Sequence, residues 1–265
     1  MTKVLDHGYV GLVPSGCWGS DESIIEAARM STDKGFQGWG PNPCEPCEGI
    51  GWINIPEYGS EGQLPVFNET MCAKCKGSGE IAGDEKLLKY LYQHKHMTPF
   101  EMAGLTIEVQ APIMVFREWH RHRTQSYNEL SARYTPLPDL YYIPSIERLM
   151  NGRQATKNKQ ASEDGFTAEQ AEECQTAIAL ATSRSRAQYE FLLDKGVARE
   201  IARLVIPVNQ YSRMRASANL RNWLGFLTLR LDKGAQWEIR QYANAVADLV
   251  KQLFPRAYSL FDEGR

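Results

Sequence analysis

Four of the six cysteines fall into two pairs whose spacing suits a metal. Cys44 and Cys47 lie in CEPCEGIG, Cys72 and Cys75 in CAKCKGSG, so one Cys-x-x-Cys-x-Gly-x-Gly pattern is written twice. Paired Cys-x-x-Cys motifs at this kind of separation are a zinc signature, because tetrahedral Zn²⁺ takes four thiolates at about 2.3 Å. The glycines let each knuckle turn back until both thiolates face one point. A redox-active Cys-x-x-Cys is the competing reading, and two matched copies favour structural zinc over it. Cys17 and Cys174 stand alone; Cys174, within TAEQAEECQTAIAL, reads as a buried, inert helix thiol.

A second concentration of chemistry is RHRTQSYNELSARY, residues 121–134. One leucine and two tyrosines are too few for the apolar stripe of an ordinary surface helix. The cations form a block, Arg121 to Arg123, followed by Arg133, which points to anionic or polar ligands held at two places. Five arginines against one glutamate recur between residues 199 and 221. For any one of them a solvated basic face is the simpler account. Arg203, between Ala202 and Leu204, and Arg230, between Leu229 and Leu231, stand in apolar settings and need partners. A bound phosphate is one such partner.

The elements that must position these residues are legible in outline. Ser20 precedes DESIIEAARM, a helix with acids in its first turn. Residues 35–83 are rich in glycine and proline and lack a helical period. They read as an insertion carrying the knuckles, its few apolar residues including Trp52, Ile53, Ile55, Leu64, Val66 and Phe67. Helical spacing resumes with Leu87, Leu88, Leu91 and Tyr92 on one face. GLTIEVQ alternates as a strand. A polar loop is expected at about 151–165. Thr167 and Gln170 then make a capping box for a long helix running towards Gly196. VAREIARLVIP places Arg199 and Arg203 on one helical face, ended by Pro207. QYSRMRASAN alternates as a strand with Arg213 and Arg215 on one side, and NLRNWLGFLTLRL returns to helix.

With 265 residues, 43% hydrophobic and a net charge of −2, the chain has material for a sizeable core and is not a wholly basic nucleic-acid binder. The N-terminal residues lack the apolar core of a signal peptide, and no apolar run approaches a membrane span. A soluble, cytoplasmic protein is expected, with no membrane and no nucleic acid among its partners.

RHRTQSYNELSARY closely resembles the signature of the flavin-dependent thymidylate synthases. The resemblance extends upstream to HMTPFE and downstream to REIARLVIPVNQYSRMRASANLRNWLGFLTLR and AQWEIRQYA. It covers nearly the whole chain apart from the cysteine-bearing insertion and the 151–165 loop. It implies an α+β fold, a mixed sheet flanked by helices, forming a single catalytic domain over 1–265 with 35–83 inserted as a zinc-ribbon-like segment. It also implies a homotetramer that binds FAD and dUMP where subunits meet, with methylenetetrahydrofolate as carbon donor and NADPH as reductant.

By the same resemblance, the cofactor-binding residues are His96, Thr98, Arg121, His122, Arg123, Glu129, Asn219, Leu220, Arg221 and Gly225. The substrate-binding residues are Glu118, Trp119, His120, Arg121, Glu129, Leu130, Ser131, Ala132, Arg133, Arg203 and Arg230. Arg230 matches the arginine that activates the uracil ring. Ser131, which lacks a visible base, is assigned to nucleotide binding rather than to nucleophilic attack. This chain departs from the family pattern in having Glu118 for a usual glutamine and Met102 for a common histidine. Gly225 replaces a side chain able to reach the flavin, so contact there would be through backbone. Two other classes compete with the enzyme reading. One is a zinc-ribbon module binding nucleic acid, the other a chaperone-like peptide-binding module, since similar knuckles occur in J-domain chaperones.

Overall fold

The computed structural model describes residues 1–57, 65–156 and 162–265. In chain order it forms strands β1 (Thr2–Val4) and β2 (Gly8–Trp18), helix α1 (Asp21–Arg29), strands β3 (Asn42–Pro43), β4 (Trp52–Glu57), β5 (Val66–Met71) and β6 (Glu80–Ile81), and helix α2 (Asp84–Gln93). Strand β7 (Gly104–Pro112), helix α3 (Ile113–Trp119), strand β8 (Ser126–Glu129) and helix α4 (Ile146–Met150) follow. Two short paired strands, β9 (Arg153–Gln154) and β10 (Ser162–Glu163), precede helices α5 (Ala168–Asp194) and α6 (Arg199–Ala202). Strand β11 (Tyr211–Asn219) and helices α7 (Leu220–Arg230), α8 (Trp237–Leu253) and α9 (Pro255–Glu263) complete the chain. It divides into two compact units, one of residues 1–20 and 100–265, the other of residues 21–99.

The larger unit is built on a five-stranded sheet in the order β1-β2-β7-β11-β8. The α+β class holds, but the sheet expected to be mixed is antiparallel at every one of these pairings. Antiparallel neighbours are entered at the end of the sheet where the preceding strand left it, whereas parallel neighbours require a crossover back to the opposite end. The alternation in β7 is the cause of its burial: Leu105, Ile107, Val109 and Ala111 are fully buried. Ser212, Met214 and Ala216 of β11 are buried beside it, while Arg213 and Arg215 point the other way and are exposed. Trp119, Trp223, Phe226 and Tyr242, from α3, α7 and α8, make a fully buried aromatic cluster. The Trp223 indole donates to the Leu105 carbonyl at 3.0 Å, which ties α7 to the sheet.

Other expectations meet mixed fates in this unit. The Thr167–Gln170 capping box forms, and α5 runs to Asp194, with Gly196 taking φ +75° just beyond. Cys174 is only half-buried on α5, because that helix leaves much of its length exposed. The helix through Arg199 ends at Ala202 and tightens into a 3-10 turn, Arg203–Val205, so Arg199 and Arg203 do not share a continuous helical face. Arg203 and Leu204 are exposed, because the short element is amphipathic only through Ala202. Part of the expected 151–165 loop is the β9–β10 pair, and residues 157–161 lie outside the described residues.

In the smaller unit, α1 and α2 bury Ile24, Ile25, Leu88 and Leu91, with Leu87 and Tyr92 half-buried on the same side of α2. Asp84 opens α2 and is fully buried. Its carboxylate accepts from the Arg29 guanidinium and from the Gln37 backbone N–H at 2.6 Å, while its own N–H donates to the Gly38 carbonyl at 2.8 Å. The segment beyond is thereby stitched to the two helices. Strands β4 and β5 pair antiparallel, leaving Trp52, Ile55 and Phe67 exposed, whereas Ile53 packs on the cysteines. Leu64 and the Val66 side chain lie outside the described residues. Among the described residues no helix is long and apolar enough to cross a membrane.

Candidate functional site

The sharpest geometry surrounds Arg230, at the last turn of α7. Its Nη1 donates to Glu118 Oε2 at 2.8 Å, its Nη2 to the Glu118 carbonyl at 2.9 Å, and its Nε to His122 Nε2 at 2.9 Å. A guanidinium only donates, so His122 must accept at Nε2 and carry its proton on Nδ1. Burial, reinforced by the Arg230 charge and opposed by Glu118, lowers the His122 pKa to about 4. The imidazole is therefore neutral near pH 7. Three of the five N–H groups of Arg230 are held in place, and one on each terminal nitrogen remains for a ligand.

The loop between α3 and β8 is pinned from two sides. The Tyr127 hydroxyl donates to the carbonyls of His122 at 2.7 Å and Trp119 at 3.2 Å, and burial pushes its pKa up to about 12. Asn222 of α7 donates to the Thr124 carbonyl at 3.1 Å. Arg121 and Arg123 are exposed on this loop.

A cavity of about 700 Å³ opens beside it, lined among others by His120, Glu129, Leu130, Ser131, Ala132 and Arg203. Strand β8 delivers Glu129, and the Leu130 N–H continues the ladder to the Arg213 carbonyl at 2.8 Å. Ser131 then starts a turn, its carbonyl accepting from Tyr134 and Thr135 and its hydroxyl from the Arg133 N–H. Two buried polar atoms in the cavity wall, His120 Nε2 and Ser212 Oγ, have no hydrogen-bond partner among the described residues. Such atoms are costly to bury unless a ligand satisfies them. Sequence reasoning passed over Ser212; the available signal was a small polar residue on the inward side of β11.

The remaining candidates disperse. Arg133 is not among the residues lining the cavity and pairs with Glu200 at 3.3 Å, both side chains being largely exposed. Trp119 and Leu220 are core residues, the Trp119 indole donating to Gln125 at 3.1 Å. Asn219 caps α7 by accepting from the Asn222 N–H at 3.0 Å. Arg221 pairs with Glu101. Gly225 is exposed one turn further along α7, and a Cβ added there meets nothing within 4 Å. The exposed guanidinium groups of Arg121 and Arg123 and the open space over Gly225 are of a kind that suits an anionic, planar cofactor such as FAD. In the smaller unit, His96 and Thr98 are exposed, His96 lying edge-on to Tyr90 at 5.7 Å and Thr98 opening a 3-10 turn.

The four cysteines of the smaller unit converge, all Sγ atoms lying within 4.8 Å of one another. Cys44 to Cys72 and Cys47 to Cys75 measure 3.7 Å. Thiolates at about 2.3 Å from a tetrahedral zinc stand about 3.8 Å apart, so the donor set fits that ion. The repeat is used symmetrically: Cys44 N–H donates to the Gly79 carbonyl and Cys72 N–H to the Gly51 carbonyl, each at 2.8 Å. Gly51 and Gly79 take φ +90° and +75°, and a Cβ on either would meet the other knuckle's backbone at 2.4 and 2.1 Å. Burial and the neighbouring Cys47 push the Cys44 thiol up to about 12. At Cys75 burial also raises the pKa, but backbone N–H groups of Gly79 and Gly77 and the thiols of Cys47 and Cys72 outweigh it and bring it to about 7.

The antiparallel sheet thus borders a cavity with an arginine and two orphaned polar atoms, groups that suit a small anionic ligand. The chain matches the family described as thymidylate synthase complementing protein over residues 16–256. It is 37% identical over 260 residues to a flavin-dependent thymidylate synthase of Thermus thermophilus, covering 98% of this chain and 77% of that one. With the flavin-dependent thymidylate synthase of Thermosipho africanus it shares 34% over 259 residues, 98% of this chain and 92% of the relative. Among solved structures it resembles the UMP/dUMP methylase PolB from Streptomyces cacaoi bound with 5-Br UMP. There the TM-score is 0.72 at 28% identity, covering 99% of this chain and 96% of the other. The protein belongs to the flavin-dependent thymidylate synthase family.

Proposed function

We propose that the protein methylates dUMP to dTMP, taking the carbon from methylenetetrahydrofolate. When bound, FAD reduced by NADPH supplies the hydride that turns the transferred methylene into a methyl group. The observation that carries this reading is the cavity where Glu129 to Ala132 meet Arg203 and the unpartnered His120 and Ser212 atoms. Arg203 and the Ser131 hydroxyl suit a phosphate, which is best gripped by guanidinium and hydroxyl donors. Arg230 is always protonated and so is no base. Its free N–H groups stabilise negative charge developing at uracil N3 and the adjacent carbonyl oxygen as C5 becomes nucleophilic. Glu118 and His122 hold its fork in one orientation, so that stabilisation needs no reorganisation during the reaction. C5 loses its proton as it gains the methyl group.

In the same reading FAD is held by His96, Thr98, Arg121, His122, Arg123, Glu129, Asn219, Leu220, Arg221 and the Gly225 backbone. The enzyme is a cytoplasmic homotetramer whose sites form where subunits meet. Cys44, Cys47, Cys72 and Cys75 hold one structural Zn²⁺. Four thiolates saturate a tetrahedral ion, so the metal shapes the knuckles and does no chemistry. The test is tritium release from 5-tritiated dUMP by FAD-loaded protein given methylenetetrahydrofolate and NADPH, with dTMP as product. A folded, yellow protein that releases no tritium under these conditions overturns the reading.

A further inference from the structure

A second cavity, of about 260 Å³, lies beside the loop that joins α7 to α8, and its chemistry is not used above. Its lining includes Arg148, Lys233, Arg240, Gln154, Ser162 and Gln236, and among the described residues no carboxylate lines it. Arg148 is already compensated: its Nε donates to Glu238 at 2.8 Å and its guanidinium lies over the Trp237 ring. Lys233 and Arg240 are different. Among the described residues neither has an ion-pair partner. Arg240 Nε is buried with no hydrogen-bond acceptor among the described residues. Gln236, at the start of α8, supplies no side-chain cap to that helix.

Two uncompensated cations and a buried, unsatisfied guanidinium N–H around a hollow with no acid are the components of an anion site. The volume suits a carboxylate or phosphate group rather than a whole cofactor. Lys233 stands three residues after Arg230, so their Cα atoms are at most about 11 Å apart. We infer that this cavity receives the carboxylate or phosphate end of a co-substrate whose reacting part lies at Arg230. The inference rests on the proposed methylation reaction. Both co-substrates of that reaction carry such groups, the glutamate tail of the folate and the phosphates of NADPH.

The test uses FAD-loaded enzyme saturated with dUMP, so that the other phosphate-binding residues are occupied. Calorimetric titration with inorganic pyrophosphate is compared between wild type, Lys233→Ala and Arg240→Gln. Lys233 is exposed, so its variant folds even if the Arg240 variant does not. Loss of one charge-assisted contact should weaken pyrophosphate roughly ten-fold. In steady-state assays KM for one co-substrate should rise by about the same factor, with kcat, FAD content and dUMP affinity unchanged. A rise confined to folate triglutamate over monoglutamate assigns the folate tail. A rise for NADPH that NADH does not share assigns the nicotinamide nucleotide's phosphate. Unchanged pyrophosphate affinity in Lys233→Ala overturns the anion site. Weakened pyrophosphate with both KM values unchanged overturns the co-substrate assignment. Failure of the methylation reading itself would instead show as absent tritium release in wild type, with the pyrophosphate titration unaffected.

Discussion

The sheet unit and the cysteine knuckles hold their working atoms in place by different means. In the sheet, Arg230 and the 129–132 turn are positioned by burial: Leu105, Ile107, Trp119, Trp223 and Phe226 form a continuous core beneath them. The knuckles have almost no such core. Cys44, Cys47, Cys72 and Cys75 are themselves the buried cluster, with Ile53 and Ile81 packed against it, and the nearby Trp52, Ile55 and Phe67 are exposed. A segment of that kind cannot offset its chain entropy by burial and needs a staple. The contrast is that the knuckles offer four thiolates where a core would be, whereas Arg230, the proposed ring-activating group, rests on a packed base.

The largest effect should come from removing the staple. Structural zinc contributes about 10–16 kcal/mol to folding in small zinc modules. Cys72→Ser/Cys75→Ser should lose its metal and unfold the knuckles while the sheet unit keeps its cooperative melt. Elemental analysis and hydrogen exchange read the two parts separately. A protein purified reduced and without chelator that contains no zinc would remove the metal from this comparison.

On the sheet side, Arg230→Ala should lower kcat by ~10²–10³, the usual loss for one oxyanion-type donor, with FAD and dUMP still bound. Near-normal turnover in the folded variant would exclude Arg230 from activating the ring.

Arg203 and Arg133 sharpen the contrast within one unit. Arg203 lines the cavity, so Arg203→Ala should weaken dUMP by roughly 1.5–3 kcal/mol and uncharged deoxyuridine much less. Arg133 sits in an exposed pair with Glu200, where an ion pair contributes only about 0–1 kcal/mol to stability, so Arg133→Ala should change either affinity little. Equal losses for dUMP and deoxyuridine in Arg203→Ala would show that it does not read the phosphate.

The smallest effect concerns His122. Its pKa is lowered in the fold to about 4, chiefly by burial and then by Arg230, from about 6.5 in an unfolded chain. Between those values the unfolded state binds more protons, so this residue makes stability rise with pH across roughly pH 4 to 6.5 and adds no further slope above. His122→Gln should flatten that part of the curve relative to wild type in denaturant titrations at several pH values. An unchanged difference across the window would mean that His122 does not titrate with the fold.

Much of this was legible along the chain. The alternation in GLTIEVQ and YSRMRASAN foretells β7 and β11, and Thr167 with Gln170 announces the start of α5. Those signals are local, set by side-chain period and by caps. Arg203 was harder: flanking Ala202 and Leu204 suggested an apolar setting, but α6 ends at Ala202 and the 3-10 turn that follows exposes both Arg203 and Leu204. Neighbours in sequence do not determine burial where an element is too short to have a repeating face.

What the sequence determined by itself is therefore the chemistry available. It supplied two matched thiolate pairs, an arginine-histidine-arginine block, and a carboxylate at Glu118 that the family pattern does not predict. Only the tertiary structure decided how these are used. It places Glu118 and His122, 112 and 108 positions from Arg230, on one guanidinium, leaves Ser212 and His120 atoms in a cavity wall without partners among the described residues, and pairs Arg133 with Glu200. It also brings Cys44 to 3.7 Å from Cys72 across 28 positions of chain. Residue type fixes what a side chain can donate or accept, whereas which groups meet depends on long-range strand register and helix packing, which no local pattern encodes.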